Sequence, residues 1–214
     1  MGKTIAAYIA LVLVISVLVG LGTWAGGSTG FARYLKGMTI SEDVIPRGGS
    51  FDVVYVLGGA QPSMRMKYER LGSLCRKIAY TNIMILDRPG ITGYNAEEGR
   101  NLTNNEWSLM RLEREGIKRQ DIELVSIDEG YFGTFSEARA VTGLMKERGY
   151  RTVLLITAPH HTARVKKSFN RMLEGEPGMT SYVTGSEEVA AVGELLMENL
   201  KLMIYTFILL PIQS

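Results

Sequence analysis

Cysteine is almost missing from this chain: of 214 residues only Cys75 carries a thiol. No internal disulfide can form, and compartment cannot be read from redox chemistry. Cys75 lies in an apolar-periodic stretch with Leu71, Leu74 and Ile78 and reads as a small core residue. Histidine is scarce too, limited to His160 and His161. Adjacent helical residues project about 100° apart. With no cysteine nearby and no H-E-x-x-H spacing, the pair argues against a metal site. Charge imbalance is also lacking, since 24 Lys and Arg against 22 Asp and Glu leave +2. The basic residues are scattered rather than gathered in a stripe, so no nucleic-acid partner is expected. There is no internal repeat and no low-complexity tract, and about 180 residues beyond the N-terminus suffice for one core but not two.

What the N-terminus has instead is hydrocarbon. No charged residue occurs between Lys3 and Arg33, and Ile5 to Trp24 is a nearly unbroken apolar run. About 20 residues is the length a helix needs to cross a bilayer. Trp24 and Tyr8 suit the two interfaces. A cleaved signal peptide normally has a shorter apolar region, and although Ala25-Gly26-Gly27-Ser28 could be cut, the length favours retention. The expected organisation is a transmembrane anchor over 1–25, a Gly-rich linker over 26–50 and one α/β domain over 51–214. Arg33, Lys36 and Arg47 against Lys3 weakly favour a cytoplasmic domain.

From residue 51 the chain alternates. Apolar, β-branched runs at 51–57, 81–86, 121–127, 151–157 and 179–184 are separated by helical patterns at 63–80, 101–115, 135–148 and 159–173, and a last helix spans Glu187 to Phe207. Between 86 and 101 lies a loop with Pro89, Gly90 and Gly93. Such alternation predicts a three-layer Rossmann-like sandwich with a mainly parallel sheet. The segment from Leu195 to Ile212 is apolar, but Glu198 and Lys201 interrupt it and the uncharged remainder is too short to span a bilayer. It reads as a helix that covers the core or touches the membrane.

In an open parallel sheet, ligands bind beyond the carboxyl ends of the strands. Four loops there carry candidates: Gly58-Gly59 with Arg65; Asp87-Arg88; Asp128-Glu129 through Thr134 and Glu137; and Thr157 through His160, His161 and Arg164. Gly58 and Gly59 allow a tight turn whose N–H groups a ligand can approach. The G-x-G-x-x-G spacing is lacking, so no dinucleotide is signalled. Arg65 opposes the dipole at its helix start and so calls for an anionic partner, whether ligand or surface carboxylate. Both histidines open a helix, where the positive dipole end favours neutral imidazole, the form that acts as a general base. Arg164 can share a helix face with one of them and grip an oxyanion. Thr134-Phe135-Ser136-Glu137 fits a T-x-x-E capping box and equally fits a carboxylate presented to a cleft.

Together these residues resemble the YdcF-like family, over about Asp52 to Arg171. The resemblance is carried by Asp52-Val53-Val54-Tyr55-Val56-Leu57-Gly58-Gly59, by Arg65, by Thr134, Ser136 and Glu137, and by Thr157, His161 and Arg164 in the family's T-S-x-x-H-x-x-R pattern, with Ala158 in the serine's place. Where the family has a Ser-Gly-Gly turn this chain has Asp87-Arg88-Pro89-Gly90, and the family's acidic residue opening the second helix is matched only loosely, by Asn104 or Glu106. SanA-like and ElyC-like members place a membrane helix before a domain outside the cytoplasmic membrane. The resemblance therefore implies an extracytoplasmic domain in the inner membrane, against the weak charge bias.

It also implies an envelope factor that binds or acts on an anionic, phosphate-bearing small-molecule or lipid-linked ligand, an envelope or peptidoglycan intermediate. His161 and Glu137 would be the catalytic candidates. Gly58, Gly59, Arg65, Thr134, Thr157, His160 and Arg164 would bind the ligand. No cofactor is assigned. The competing expectations are an S-adenosylmethionine or nucleotide binder, and a non-catalytic envelope scaffold whose polar residues are caps and ion pairs.

Overall fold

The computed structural model describes residues 29–128 and 133–209. The anchor expected over 1–25 and Glu129 lie outside them. Five parallel strands, β1 (Ser50–Val56), β2 (Ala79–Leu86), β5 (Ile122–Val125), β6 (Thr152–Thr157) and β7 (Thr180–Gly185), form one sheet in the order β5-β2-β1-β6-β7. The intervening helices are α2 (Gln61–Cys75), α3 (Asn104–Arg114), α4 (Gly133–Arg148) and α5 (Thr162–Leu173). The sheet is apolar on both faces because both are covered. Val54, Val56, Ile83 and Ile156 pack under Met64, Tyr68 and Leu71 of α2 and Leu112 of α3. Val53, Tyr55, Met84 and Leu155 pack under Val141 and Met145 of α4 and Val165 and Phe169 of α5. Alternate residues of β1 thus feed opposite layers, the three-layer Rossmann-like arrangement that the alternation predicts.

Two segments differ from expectation. Residues 91–100, expected as loop, and 101–103, expected to open a helix, form a separate antiparallel hairpin of β3 (Ile91–Asn95) and β4 (Arg100–Thr103). Its strands lack an apolar alternation because Leu102 is their one buried residue. The turn is made by the Asn95 side chain accepting the Glu97 N–H and by Gly99 at φ +64. The linker expected over 26–50 is in its described part built into the domain. Helix α1 (Thr29–Thr39) buries Leu35 and Thr39. Beyond it, Asp43 exchanges hydrogen bonds with Val183 through its own N–H and its carboxylate. The segment around Asp43 is ordered because it closes the open edge of β7.

The last helix, α6 (Val192–Ile204), starts five residues later than expected and runs into a π-helical turn over Tyr205–Leu209. It packs against α1, with Asn199 donating to the Leu35 carbonyl at 3.3 Å. Among the described residues no helix is long and apolar enough to cross a membrane. Cys75 is half-buried, and burial pushes its thiol up to about 11, so it is a packing residue rather than a nucleophile.

Candidate functional site

The sheet order reverses between β1 and β6: from β1 the chain proceeds outward to β2 and β5, then returns to β6 and β7. A crevice at such a switch point is where α/β sheets bind ligands. The loops that leave these two strands carry Gly58-Gly59 and Thr157 to His161.

Glu137 decides the contest between cap and cleft. It does not cap α4. Its buried carboxylate accepts the Tyr55 hydroxyl at 2.6 Å and the Gly58 N–H at 3.0 Å. The T-x-x-E box belongs instead to α3, where Thr103 and Glu106 satisfy each other's N–H groups. Glu106 therefore does not enter the crevice.

Opposite Glu137 lies Lys67, on α2 and 1% exposed. Its ammonium donates to the carbonyls of Leu57 at 3.0 Å and Gly58 at 2.8 Å. A Cβ added at Gly59 would lie 2.9 Å from that nitrogen, so a side chain there would push the ammonium aside. Burial pulls the Lys67 pKa down to about 8, against the opposing pull of Glu137 and Glu188. The glycine turn is thus held from two sides, its N–H by a carboxylate and its carbonyls by an ammonium. Arg88 adds a hydrogen bond to the Gly59 carbonyl, and Asp87 and the Arg88 N–H are tied to Asn105. A cavity of about 700 Å³ opens on this side between Gly59, Gln61, Arg88 and Asn104.

On the β6 side, Pro159–His161 form a short 3-10 turn leading into α5. Thr157 is buried at the strand end, and its carbonyl accepts the Ser186 N–H at 2.8 Å. His161 Nδ1 lies 2.7 Å from a carboxylate oxygen of Glu198 on α6. Arg164 donates to the same carboxylate from Nε at 2.5 Å and Nη2 at 3.2 Å, and from Nη1 to the Thr134 hydroxyl. Its guanidinium also lies 5.2 Å from the centre of the Tyr205 ring. Burial would push Glu198 up, but the hydrogen bonds from His161 and Arg164 prevail and hold it down at about 2. The carboxylate is therefore ionised, so the proton in the 2.7 Å contact belongs to His161 Nδ1. In the neutral ring Nε2 is then the acceptor atom. The His160 ring lies tilted by 50° against that of His161, with ring centres 4.1 Å apart. Burial, and then the His161 ring, lower its pKa, and its buried Nδ1 has no hydrogen-bond partner among the described residues.

A chain of contacts therefore crosses the switch point. It runs from Gly58 to Glu137, along the first turn of α4 to Thr134, and through Arg164 and Glu198 to His161. Of the expected site residues, Gly58, Gly59, Glu137, Thr134, Arg164, His161, His160 and Thr157 come together. Arg65 does not: it is exposed on α2 and pairs with Glu69 at 2.9 Å, so the anion that the helix dipole calls for is a surface carboxylate.

No protein-family model and no curated protein matches this chain. Among solved structures it is similar to the U34-tRNA thiolase NcsA from Methanococcus maripaludis with its 4Fe-4S cluster, at 17% identity and a TM-score of 0.39. The match covers 82% of this chain and 66% of that one, so this chain spans just under two thirds of its length. A likeness this distant carries no argument about function.

Sequence reasoning missed Lys67, Glu198 and Tyr55. Lys67 announced itself as a lysine among the apolar positions Met64, Tyr68 and Leu71 of α2, and Glu198 as a carboxylate inside an apolar helix. Tyr55 gave no signal, because a tyrosine in an apolar strand looks like core.

Proposed function

We propose that this protein is a membrane-tethered cell-envelope factor that binds or acts on an anionic, phosphate-bearing ligand at the β1/β6 crevice, with His161 as acid or base. The observation that carries the reading is the Glu198–His161 contact. A buried ionised carboxylate fixes the imidazole tautomer and directs Nε2 as a proton acceptor, the arrangement a general base needs. The glycine turn braced by Glu137 and Lys67 lets a ligand approach the backbone closely at Gly59. The uncharged run from Ile5 to Trp24 and the resemblance to the YdcF-like family support the tether, the inner-membrane location and the extracytoplasmic side.

A second reading, the non-catalytic scaffold, is favoured by the arginines. Arg164 directs its donors to Glu198 and Thr134, and Arg65 pairs with Glu69. The two readings part at His161. Under the first, His161→Ala abolishes complementation of an envelope defect while the melting temperature falls by less than about 5 °C, equivalent to about 1–2 kcal/mol at this size. Full complementation by that variant, or loss of function tracking a larger drop in melting temperature, leaves the scaffold reading in its place.

A further inference from the structure

The segment 186–191 between β7 and α6 is neither helix nor strand, and Val189 within it is 86% exposed. It nevertheless brings an acid into the crevice. The Glu188 carboxylate accepts the Ser63 hydroxyl of α2 at 3.1 Å and the Ser186 hydroxyl at 3.3 Å. Ser63 lies in the first turn of a helix whose N-cap, Ala60, has no side-chain oxygen and whose first turn contains no acidic residue. The positive end of α2 is complemented by a carboxylate from another part of the chain. The charge of Glu188 also supports the buried Lys67 ammonium and reaches His160, the residue whose buried Nδ1 lacks a partner among the described residues. A helix start, a hydroxyl, a buried ammonium and an unsatisfied imidazole nitrogen are the groups that recognise an oxyanion, and here a side chain of the protein stands among them.

We propose that residues 186–191 form a gate, with Glu188 occupying the seat of the ligand's phosphate and leaving it when that phosphate binds. The inference rests on the anionic-ligand reading above and assigns the seat within it. Two negative groups cannot share one such position, so binding requires an open loop. The measured affinity is then reduced by the fraction of molecules in which the loop is open.

The test measures binding by the full-length protein in detergent micelles, wild type against Glu188→Gln, along two arms. One arm titrates inorganic pyrophosphate; the other titrates micelles doped with phosphatidic acid against phosphatidylcholine alone. A fluorophore on Val189→Cys, in a Cys75→Ala background, reports loop movement. The gate requires that Glu188→Gln tighten binding by about tenfold in at least one arm, as for a loop open about a tenth of the time. It also requires that the label respond when the wild-type loop binds. The arm that responds tells free phosphate from a lipid headgroup. Equal or weaker binding by Glu188→Gln overturns the gate and leaves the anion reading standing, whereas absence of binding by both proteins in both arms overturns the two together. Should Glu188→Gln fold poorly, Ser186→Ala, which removes the loop's own hydroxyl from the carboxylate and leaves the seat intact, must tighten binding in the same arm, and its failure to do so equally refutes the gate.

Discussion

Replacing Glu198 with glutamine keeps the side chain's volume but removes its charge. Arg164 is then left with Thr134 and Tyr205 around it, and His161 loses the carboxylate that orients it. The Glu198 side chain is only 2% exposed, so water cannot replace what is lost. Removing one partner of a buried ion pair costs about 3–5 kcal/mol. The pKa gives a consistent figure: a fall from 4.5 to about 2 is worth about 3 kcal/mol at about 1.36 kcal/mol per pH unit. In a domain of this size that lowers the melting temperature by about 6–12 °C. A carboxylate whose folded-state pKa is depressed stabilises the protein fully above pH 4.5, and that stabilisation is lost as the pH falls toward 2. The stability gap between wild type and Glu198→Gln should therefore be constant from pH 7 to about 5 and shrink steadily below it. Urea unfolding followed by Trp107 fluorescence at successive pH values measures the gap. A gap below about 1 kcal/mol at neutral pH, or one that does not change down to pH 2.5, would refute the buried-pair account.

Two further outcomes follow from the crevice. Lys67 has a folded-state pKa of about 8 against an ordinary 10.5, so its charged form is penalised in the fold at neutral pH and the penalty is relieved between about pH 8 and 10.5. Wild type should gain stability relative to Lys67→Met across that window, by up to about 3 kcal/mol, and a pH-independent difference in urea midpoints would contradict the burial of a charge. At Gly185 an added Cβ would sit 2.9 Å from the Pro159 Cα, a backbone atom that cannot move alone. Gly185→Ala should shift the His160–His161 turn and reduce complementation more than it lowers the melting temperature; wild-type complementation would show that the turn yields without consequence.

The sequence by itself determined the layers of this protein, because strand and helix periods depend on local spacing. Apolar runs such as Val53 to Leu57 and RTVLLIT admit only a sheet covered on both faces. The glycines after β1 and the histidines after β6 could likewise be placed at strand ends without coordinates. The tertiary structure alone decided which charges meet. Arg65 and Lys67 lie two residues apart on one helix, and only packing sends the first to a surface carboxylate and the second under the glycine turn. Thr134 and Glu137 fit a capping box equally well in sequence, and the approach of β1, with the Tyr55 hydroxyl and the Gly58 N–H, gives the carboxylate partners far away in the chain. Glu198 looked like an interruption in an apolar helix until that helix folded back against the β6 loop, 34 residues beyond Arg164. Long-range pairs of this kind leave no periodic trace in sequence, since an ion pair needs proximity in space and imposes no spacing along the chain.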